Sequence, residues 1–355
     1  MGKILHIVNS VSYDGAAILS LRIVMMTPQY QHEIISMFKG SGINEFMKNG
    51  IVCSYLLDKN SYGLNFKLKK DLALVRYLLK NKYDIIHFHG GGISVLLIAA
   101  LLKRKASVVF HLHAGNITGI PFKLNLPAVY KFIYRNIDKR IEKVATCEHV
   151  RQYYCKEIQP WNIESVHLIR NFTPFNFISK EKPNRRIGYI GRIASEKGIK
   201  MFFAVTESVE FKLFNLKTVL MGDFSNDLNG FIRKKIDEGI VDLLSPSLCV
   251  EELYKKVDIL IFPSLLTETL PLVILEAASF DVAVIAFKTS ATKEIFSNYP
   301  LLVDKTDVSC FIDKIKEYYS SDALRLKLRE FHREVALKFN KDEYHSQIVE
   351  LYNSL

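Results

Sequence analysis

The sequence predicts an α/β protein of two domains, each a doubly wound parallel sheet with helices on both faces. Two observations predict this class. The chain has 355 residues, about twice the usual size of one domain. Short apolar strands alternate with helical segments along its length, which is typical of parallel sheets. We expect a first domain at residues 1–172, a linker rich in Pro, Lys and Glu at residues 173–184, and a second domain at residues 185–340.

In the first domain, apolar runs bounded by turn residues predict the strands. The first strand ends near Asn9, and the turn-rich loop after it opens a helix at about Ala16. Further elements are expected as strands near Gln31–Phe38 and Tyr83–Phe88, a strand from Ser107, a strand ending near Thr146, and a helix at about Asn65–Asn81.

In the second domain the same alternation continues, beginning with a strand that gives way at Gly191. The last helix, at about residues 341–355, follows this domain. The other elements are expected as strands at Leu216–Asp223, Val241–Leu244, Asp258–Phe262 and Val282–Phe287, and helices at Glu251–Lys256, Leu272–Phe280 and from Asp307 onward.

Composition excludes several classes of protein. Hydrophobic residues make up 49% of the chain, enough for full-sized cores, and the five cysteines have neither paired nor metal-like spacing. This predicts reduced thiols in a cytoplasmic protein. The longest apolar run, Ile93–Leu102, is too short to span a bilayer, which takes about 20 residues. The apolar run at the N-terminus is too short for a signal peptide.

Charge is distributed unevenly along the chain. Residues 1–170 carry 23 basic and 11 acidic side chains, a net charge of +12, whereas residues 171–355 carry 25 and 26, a net charge of −1. A basic half predicts an anionic partner, either a membrane surface or a nucleic acid. We find no recognised nucleic-acid-binding module in it, so we expect no nucleic-acid partner.

Two carboxylates eight residues apart form the sharpest motif. Glu268 follows the strand that ends at Phe262, and Glu276 lies about one and a half turns into the next helix. Pro271 suits the first turn of that helix, where its missing N–H costs nothing. Because ligands of open α/β sheets bind where strands lead into helices, this stretch predicts a ligand site. A loop charge and a solvated helix residue are the alternative, but a carboxylate among Leu, Val, Ile and Ala usually needs a partner.

A second motif opens the second domain. Gly191 and Arg192 follow a strand, and Lys197 and Gly198 precede a helix. Arginine offers a fork of donors, lysine a point charge, and a helix its positive end, so this geometry can surround a pyrophosphate. Solvated surface charge is the alternative reading.

These two motifs, Gly-Arg-x4-Lys-Gly and Glu-x7-Glu, resemble the signature of the family 4 retaining glycosyltransferases. The resemblance implies the GT-B fold, in which two Rossmann-like domains face across a cleft and the last helix, residues 341–355, packs back on the first domain. It also implies a nucleotide-sugar donor, most simply a UDP-sugar, and retention of anomeric configuration. No cofactor and no metal are expected.

The resemblance assigns roles in the second domain. Arg192 and Lys197 hold the donor phosphates, Glu268 contacts the transferred sugar and Glu276 the ribose. The remaining donor contacts that it implies are Gly191, Gly222, Ser247, Leu248, Thr269 and Leu270.

In the first domain, the resemblance assigns two residues to the donor. His113 contacts the donor sugar, and Gly15 lies in the loop that faces the diphosphate, where Asp14 replaces a glycine usual in the family. His89 and Asn116 are candidates for the acceptor side. Strand alternation puts His87 and His89 on one face. A metal site is not expected because these histidines lack a helical i, i+4 pair and nearby cysteines.

A basic and aromatic segment, Ile117–Ile141, is the most unusual part of the first half. Such a segment suits a membrane interface, although a core-facing helix with a solvated basic face has the same composition. The basic clusters Lys67–Lys70 and Lys103–Lys105 favour the membrane, since each basic residue near an anionic bilayer contributes roughly 1 kcal/mol. We therefore expect a peripheral protein on the inner face of the cell membrane.

Together these features predict a metal-independent glycosyltransferase. It would move a hexose to a hydroxyl of a saccharide acceptor, which we expect to be lipid-linked, in bacterial surface-polysaccharide assembly. Two alternatives are a non-catalytic GT-B partner subunit and a nucleotide-sugar epimerase of the same architecture. The Glu-x7-Glu motif disfavours the epimerase, and the intact Arg192, Lys197, Glu268 and Glu276 disfavour the non-catalytic subunit.

Overall fold

The structure is a computed structural model, and it describes residues 2–58, 64–90, 93–102, 105–113, 141–153, 155, 165–223, 228–304 and 307–355. The chain divides into two compact units. Unit 1 comprises Met1–Arg170 together with Tyr344–Leu355, and unit 2 comprises Asn171–Glu343. Asn116 and residues 117–140 of the basic, aromatic segment lie outside the described residues.

Unit 1 contains a seven-stranded parallel sheet in the order β3-β2-β1-β4-β5-β6-β7. Its strands are β1 (Lys3–Ser10), β2 (Gln31–Phe38), β3 (Cys53–Leu57), β4 (Ile85–Phe88), β5 (Ser107–Leu112), β6 (Ile141–Ala145) and β7 (Val166–Leu168). Its described helices are Gly15–Met26, Ile43–Lys48, Leu64–Lys80, Ile93–Leu102, Glu148–Tyr153 and most of the C-terminal helix Lys341–Asn353.

Unit 2 contains a six-stranded parallel sheet in the order β10-β9-β8-β11-β12-β13. Its strands are β8 (Arg186–Ile190), β9 (Lys217–Met221), β10 (Asp242–Leu244), β11 (Ile259–Phe262), β12 (Ala283–Phe287) and β13 (Leu302–Val303). Its described helices are the 3-10 turn Ser195–Lys197 and Ile199–Thr206, Val209–Leu213, Asn229–Asp237, Glu251–Lys256, Leu272–Ser279, Ser290–Ile295, Val308–Ser320 and Asp322–Lys338.

The central strands of both sheets are buried along nearly their whole length, as parallel strands covered on both faces must be. In each sheet the strand order reverses beside the first strand, between β1 and β4 in unit 1 and between β8 and β11 in unit 2. Two Rossmann-like parallel sheets confirm the predicted fold class. Each reversal opens a crevice at the carboxyl ends of the strands, where ligands of such sheets bind.

The C-terminal helix contacts the sheet of unit 1. The hydroxyl of Tyr30 donates to the Oδ1 of Asn353 at 2.7 Å, and the hydroxyl of Tyr352 lies 2.6 Å from the Nδ1 of His87. The ring of Tyr352 also meets the ring of Tyr30 edge-on, with their centroids 5.5 Å apart. This helix therefore covers the sheet face that carries the histidines described below.

The stretch 173–184, expected to link the domains, is hydrogen-bonded along unit 2. The amide of Ile178 donates to the carbonyl of Ser279 at 2.8 Å, and the amide of Asn184 donates to Asp258 at 2.7 Å. Asp258 is fully buried at the start of β11, and it also accepts from the amide of Arg186 at 3.1 Å. These bonds fix the chain as it enters β8.

Candidate functional site

Two glycines bring the loops after β8 and β9 into contact. Gly191 has φ +127° and Gly222 has φ +157°, values that side chains rarely tolerate. A Cβ on Gly222 would lie 1.9 Å from the carbonyl oxygen of Gly191. The amide of Gly191 donates to Met221, and the amide of Ile193 donates to Asp223 at 2.8 Å. Both positions therefore require glycine, and the backbone after β8 is held in a fixed course.

Gly198 brings the lysine of the second motif beside the first motif. It has φ +79°, and a Cβ there would lie 2.0 Å from the carbonyl oxygen of Pro263, just after β11. The Nζ of Lys197 lies 2.6 Å from the Oε1 of Glu268, and the hydroxyl of Ser264 donates to the same oxygen at 2.5 Å. Residues 71 positions apart thus meet where the strand order reverses.

Arg192 is the more exposed of the two cations, with 53% of its side chain accessible, and it pairs with Glu196 at 2.8 Å. A hydrogen bond from its own backbone N–H, together with the charge of Arg192, lowers the pKa of Glu196. The hydroxyl of Tyr189 donates to the carbonyl of Arg192 at 3.1 Å. Both cations of the second motif therefore lie in the segment after β8, and each is paired with a carboxylate.

The loop between Glu268 and the helix Leu272–Ser279 is buried. Thr269 and Leu270 are nearly inaccessible, and the side-chain amide of Asn171 donates to the carbonyl of Leu270 at 2.7 Å. Pro271 directly precedes the helix, one position before its expected place in the first turn. The loop therefore has one defined conformation. It leads directly into the N-terminal end of the helix, which is the positive end of the helix dipole.

Glu276 is 3% exposed on that helix, and its carboxylate has the partner that its apolar surroundings predict. The hydroxyl of Tyr254 lies 2.9 Å from its Oε2 and 3.1 Å from the carbonyl of Val273. The ring of Tyr254 stacks on Phe280 at 5.6 Å. A rigid tyrosine therefore orients this carboxylate from inside the unit.

The other predicted donor residues lie at two further strand ends. Ser247 and Leu248 follow β10 and are half-buried, and the hydroxyl of Ser247 accepts from the amide of Cys249 at 3.0 Å. Gly15 starts its helix one residue earlier than expected because Asp14 caps it by accepting from the amide of Ala17 at 3.0 Å. Asp14, which stands where the family has a glycine, thus has a structural role as a helix cap.

Unit 1 carries six of the ten histidines on one face of its sheet. Strand register aligns His6 with His87, and alternation adds the others to the same face. Four of them are joined by ring-to-ring hydrogen bonds across neighbouring strands, and we call these four the histidine row: His32, His6, His89 and His113. His87 and His111 form a separate pair, with the Nε2 of one 3.2 Å from the Nδ1 of the other.

Burial lowers the pKa of every histidine in this cluster, for His113 to about 3. These rings are therefore neutral at pH 7. Two trios, one of His6, His87 and His89 and the other of His89, His111 and His113, place ring nitrogens within 4.8 Å of one another, as a metal site would. Most of these nitrogens already bond to one another or to Tyr352.

The structure groups the sequence-predicted residues by unit. In unit 2, the segments that follow β8, β9 and β11 carry Gly191, Arg192, Lys197, Gly222, Glu268, Thr269 and Leu270, and the helix Leu272–Ser279 carries Glu276. In unit 1, His89 and His113 are hydrogen-bonded to each other at 3.0 Å. Sequence reasoning missed His6 and His32, whose link to His113 depends on strand register. It also missed the partners Ser264 and Tyr254.

Comparison with known proteins finds a family match within unit 2. Residues 184–321 match the family model for glycosyl transferases group 1. The chain is 22% identical to the amylovoran biosynthesis glycosyltransferase AmsD of Erwinia amylovora over 274 residues, 74% of this chain and 75% of that one. It is 24% identical to an uncharacterised glycosyltransferase of Haemophilus influenzae over 298 residues, 80% of each chain.

Solved structures resemble the whole chain. Anabaena HepE, solved with UDP and glucose, superposes with a TM-score of 0.77 at 15% identity over 100% of both chains. The pneumococcal O-GlcNAc transferase GtfA, solved with UDP and GlcNAc, superposes with a TM-score of 0.74 at 12% identity over 99% of both chains. Residues 184–321 therefore match the model of glycosyl transferases group 1, and the whole chain has the fold of these GT-B glycosyltransferases.

Proposed function

We propose that this protein is a retaining, metal-independent glycosyltransferase that transfers a hexose from a UDP-sugar to a hydroxyl of a saccharide acceptor. The observation that carries the proposal is the meeting of Lys197 with Glu268, 2.6 Å apart, at the strand-order reversal of a group 1 domain. The UDP complexes of HepE and GtfA support UDP as the nucleotide.

The diphosphate binds to the cations and amides at the reversal. Arg192 supplies a planar fork of donors and Lys197 a compact charge, so the leaving phosphate is stabilised as its negative charge grows. The amides of Thr269 and Leu270 add dipoles at the helix start, whereas Pro271 has no N–H to offer. On binding, the phosphate takes the place of Glu268 at the Nζ of Lys197.

The released Glu268 accepts from hydroxyls of the transferred sugar, and Glu276 accepts from the ribose. Tyr254 keeps the Glu276 carboxylate oriented for this contact. The backbone at Ser247 and Leu248 reads the base. Gly191, Gly222 and Gly15 let backbone approach the donor, and His113 binds a hydroxyl of the sugar.

The chemical step is a displacement on the face that the diphosphate leaves. The bond from the anomeric carbon to the phosphate oxygen breaks, and a bond to the acceptor oxygen forms on the same side. The acceptor proton passes to the departing phosphate oxygen. No metal is needed in this scheme because Arg192 and Lys197 carry the positive charge.

Thermal unfolding with a panel of nucleotides, in EDTA, tests the donor site. A ligand at 100 times its Kd stabilises the folded state by about 2.7 kcal/mol. We expect UDP to raise the Tm of the wild type, and Arg192→Ala to abolish most of that rise. Lys200→Ala, which removes an exposed lysine on the next helix, serves as the charge-matched control and should retain it. No rise with any nucleoside diphosphate would refute the proposal.

We propose further that the acceptor is lipid-linked and that unit 1 binds the inner face of the membrane. The relationship to an amylovoran biosynthesis enzyme supports a role in surface-polysaccharide assembly. None of the helices in the described ranges has the length and apolarity to cross a bilayer. Attachment would instead use the helix Leu64–Lys80, which exposes Leu68, Leu72 and Leu79 on one side, flanked by basic residues.

Co-sedimentation with vesicles tests the membrane proposal. We expect the protein to sediment with anionic vesicles at low salt and to remain in solution with neutral ones. Leu72→Glu should reduce binding severalfold, because it places a charge among the exposed leucines. Leu337→Glu, on a leucine of unit 2 that is more exposed than Leu72, should not. Equal binding of both variants would contradict a membrane-binding surface on this helix.

A further inference from the structure

The histidine row crosses four neighbouring strands of unit 1. Its three hydrogen bonds run from His32 to His6 at 3.0 Å, from His6 to His89 at 3.1 Å, and from His89 to His113 at 3.0 Å. In every bond the Nδ1 of the earlier ring faces the Nε2 of the next. The row therefore has a direction, and a proton position at one end constrains the other.

Each ring in the row carries a single proton at neutral pH. Burial lowers the pKa of all four histidines, which disfavours the doubly protonated form. A neutral imidazole has one N–H donor and one bare nitrogen that accepts. Each ring can therefore donate on one side only and must accept on the other.

Thr27 decides where the proton lies on the first ring. The Nε2 of His32 lies 2.9 Å from the carbonyl oxygen of Thr27 and 2.9 Å from its Oγ1. A carbonyl can only accept, and the Thr27 hydroxyl already donates its proton to Ile23 at 2.6 Å. Both neighbours therefore require the proton of His32 to be on Nε2, which leaves its Nδ1 bare.

The position of the proton on His32 then determines the position of the proton on each following ring. The bare Nδ1 of His32 accepts from the Nε2–H of His6, whose bare Nδ1 accepts from His89, whose bare Nδ1 accepts from His113. We propose that the histidine row fixes His113 as the Nε2-protonated tautomer and presents its Nδ1 as a hydrogen-bond acceptor. His32 and His6 are thus positioning residues that act on His113 through His89.

The tautomer has a consequence for the substrate, which rests on the proposed function. A bare Nδ1 accepts from a sugar hydroxyl but repels a carboxylate, and the low pKa of His113 opposes protonation of that nitrogen. His113 is half-buried, and no residue in the described part of the chain pairs with its Nδ1. The site should therefore take neutral hexoses at this position and discriminate against uronic acids.

The pair of His87 and His111 offers a control within the same cluster. The Nδ1 of His87 is bonded to Tyr352 at 2.6 Å, and its Nε2 to His111. Within the described ranges, no ring-to-ring hydrogen bond joins this pair to the row, although the rings of His87 and His89 stack at 4.1 Å. Replacing His87 should therefore disturb packing without changing the tautomer of His113.

Nitrogen-15 NMR of protein labelled in its histidine rings reads the tautomer directly. His113→Phe assigns the signals, and the wild type should show a protonated Nε2 and a bare Nδ1 for His113. His6→Phe leaves His89 without an acceptor for its Nε2–H, so its proton moves to Nδ1 and His113 becomes protonated on its own Nδ1. His87→Phe should leave the wild-type pattern intact.

His32 provides the second pair of variants, at the half-buried end of the row where a substitution is best tolerated. His32→Gln retains the pattern because an amide donates to the Thr27 carbonyl and accepts from His6. His32→Leu removes both functions and should shift His113 toward the Nδ1-protonated form. It should also lower kcat/KM with a hexose donor about tenfold, with UDP affinity unchanged.

A bare Nε2 on His113 in the wild type would overturn the proposal, as would an unchanged tautomer in both His6→Phe and His32→Leu. Zinc retained stoichiometrically by the purified protein would also overturn it, because a metal would replace the proton between His89 and His113. The NMR result does not depend on activity. If the tautomer is as expected but no nucleotide sugar binds, the proposed function fails and the histidine row stands.

Discussion

The candidate donor site of unit 2 and the histidine row of unit 1 place polar groups at the same part of a similar sheet by different means. In unit 2, ion pairs between Lys197 and Glu268 and between Arg192 and Glu196 hold charge at the strand ends. In unit 1, the rings of the histidine row are neutral. Within the described residues, their hydrogen bonds join them only to one another and to Thr27.

The difference lies in what each arrangement must do. A site that binds an anion needs fixed positive charge, and the carboxylates neutralise that charge until the anion arrives. A buried row of neutral rings carries no net charge and avoids the free-energy cost of burying ions. Its hydrogen bonds all run in one donor-to-acceptor direction. In the proposed mechanism the first arrangement stabilises a leaving group, and in the proposed tautomer the second sets which nitrogen of His113 accepts a hydrogen bond.

We expect the largest effect from lowering the pH, which disrupts the histidine row. The histidines of the row have pKa values near 6.5 when unfolded, and burial lowers the pKa of each of them in the folded state, for His113 to about 3. The unfolded state therefore binds more protons as the pH falls below 6.5, and each histidine lowers the free energy of unfolding by up to about 1.4 kcal/mol per pH unit. We expect a loss of several kcal/mol between pH 7 and pH 5, measured by urea unfolding with a unit 1 probe.

Most carboxylates stay ionised in that pH range, so their protonation cannot mimic the effect. A unit 1 stability that is flat between pH 7 and pH 5 would mean that the rings are already protonated or solvated. The conclusion that the histidine row is neutral would then be wrong.

Removing the charge of Lys197 should affect the other region. Lys197→Ala leaves the developing phosphate charge without one cation, a loss comparable to an oxyanion donor, so turnover should fall about 100- to 1,000-fold. Lys200→Ala, three residues away and exposed, should keep turnover within about twofold. The measurement is initial velocity at saturating donor. Equal rates in the two variants would assign Lys197 to structure alone.

Tyr254→Phe should give the smallest effect, and it tests the role of Tyr254 in orienting Glu276. Loss of a hydrogen bond to a buried carboxylate costs about 1–3 kcal/mol of stability. It should also weaken UDP binding, because Glu276 is no longer oriented. Denaturant midpoints and UDP titrations report the two effects. Tyr55→Phe, on an exposed tyrosine of unit 1, should change neither.

The fold was predictable because its signal is local. Apolar strands of four to eight residues and helix-starting turns recur along the chain, and β2 (Gln31–Phe38) and the helix Glu251–Lys256 have the predicted bounds. The two motifs of the candidate donor site are also visible in the sequence, since Gly198 and Glu268 lie within short contiguous patterns, and their assignment to a donor stays a prediction. The expected need of Glu276 for a partner is met by Tyr254.

The partners themselves were not predictable, since they come from other strands. Lys197 meets Glu268 only because β8 and β11 are neighbours, and His6 meets His89 only because β1 and β4 are in register. Alternation along one strand shows which residues share a face but not which rings touch across strands. Asp14 is the opposite case, because its partner is local. It stands where the resembled family usually has a glycine, and its role as a helix cap at Ala17 explains the difference.

In the proposed mechanism, a donor diphosphate replaces Glu268 as the partner of Lys197. A crystal structure of the protein with a UDP-sugar tests it most directly. We expect a phosphate oxygen within hydrogen-bonding distance of the Nζ of Lys197, with Glu268 turned away to the sugar. A bound nucleotide that leaves the Lys197–Glu268 pair intact and places its phosphates elsewhere would contradict it.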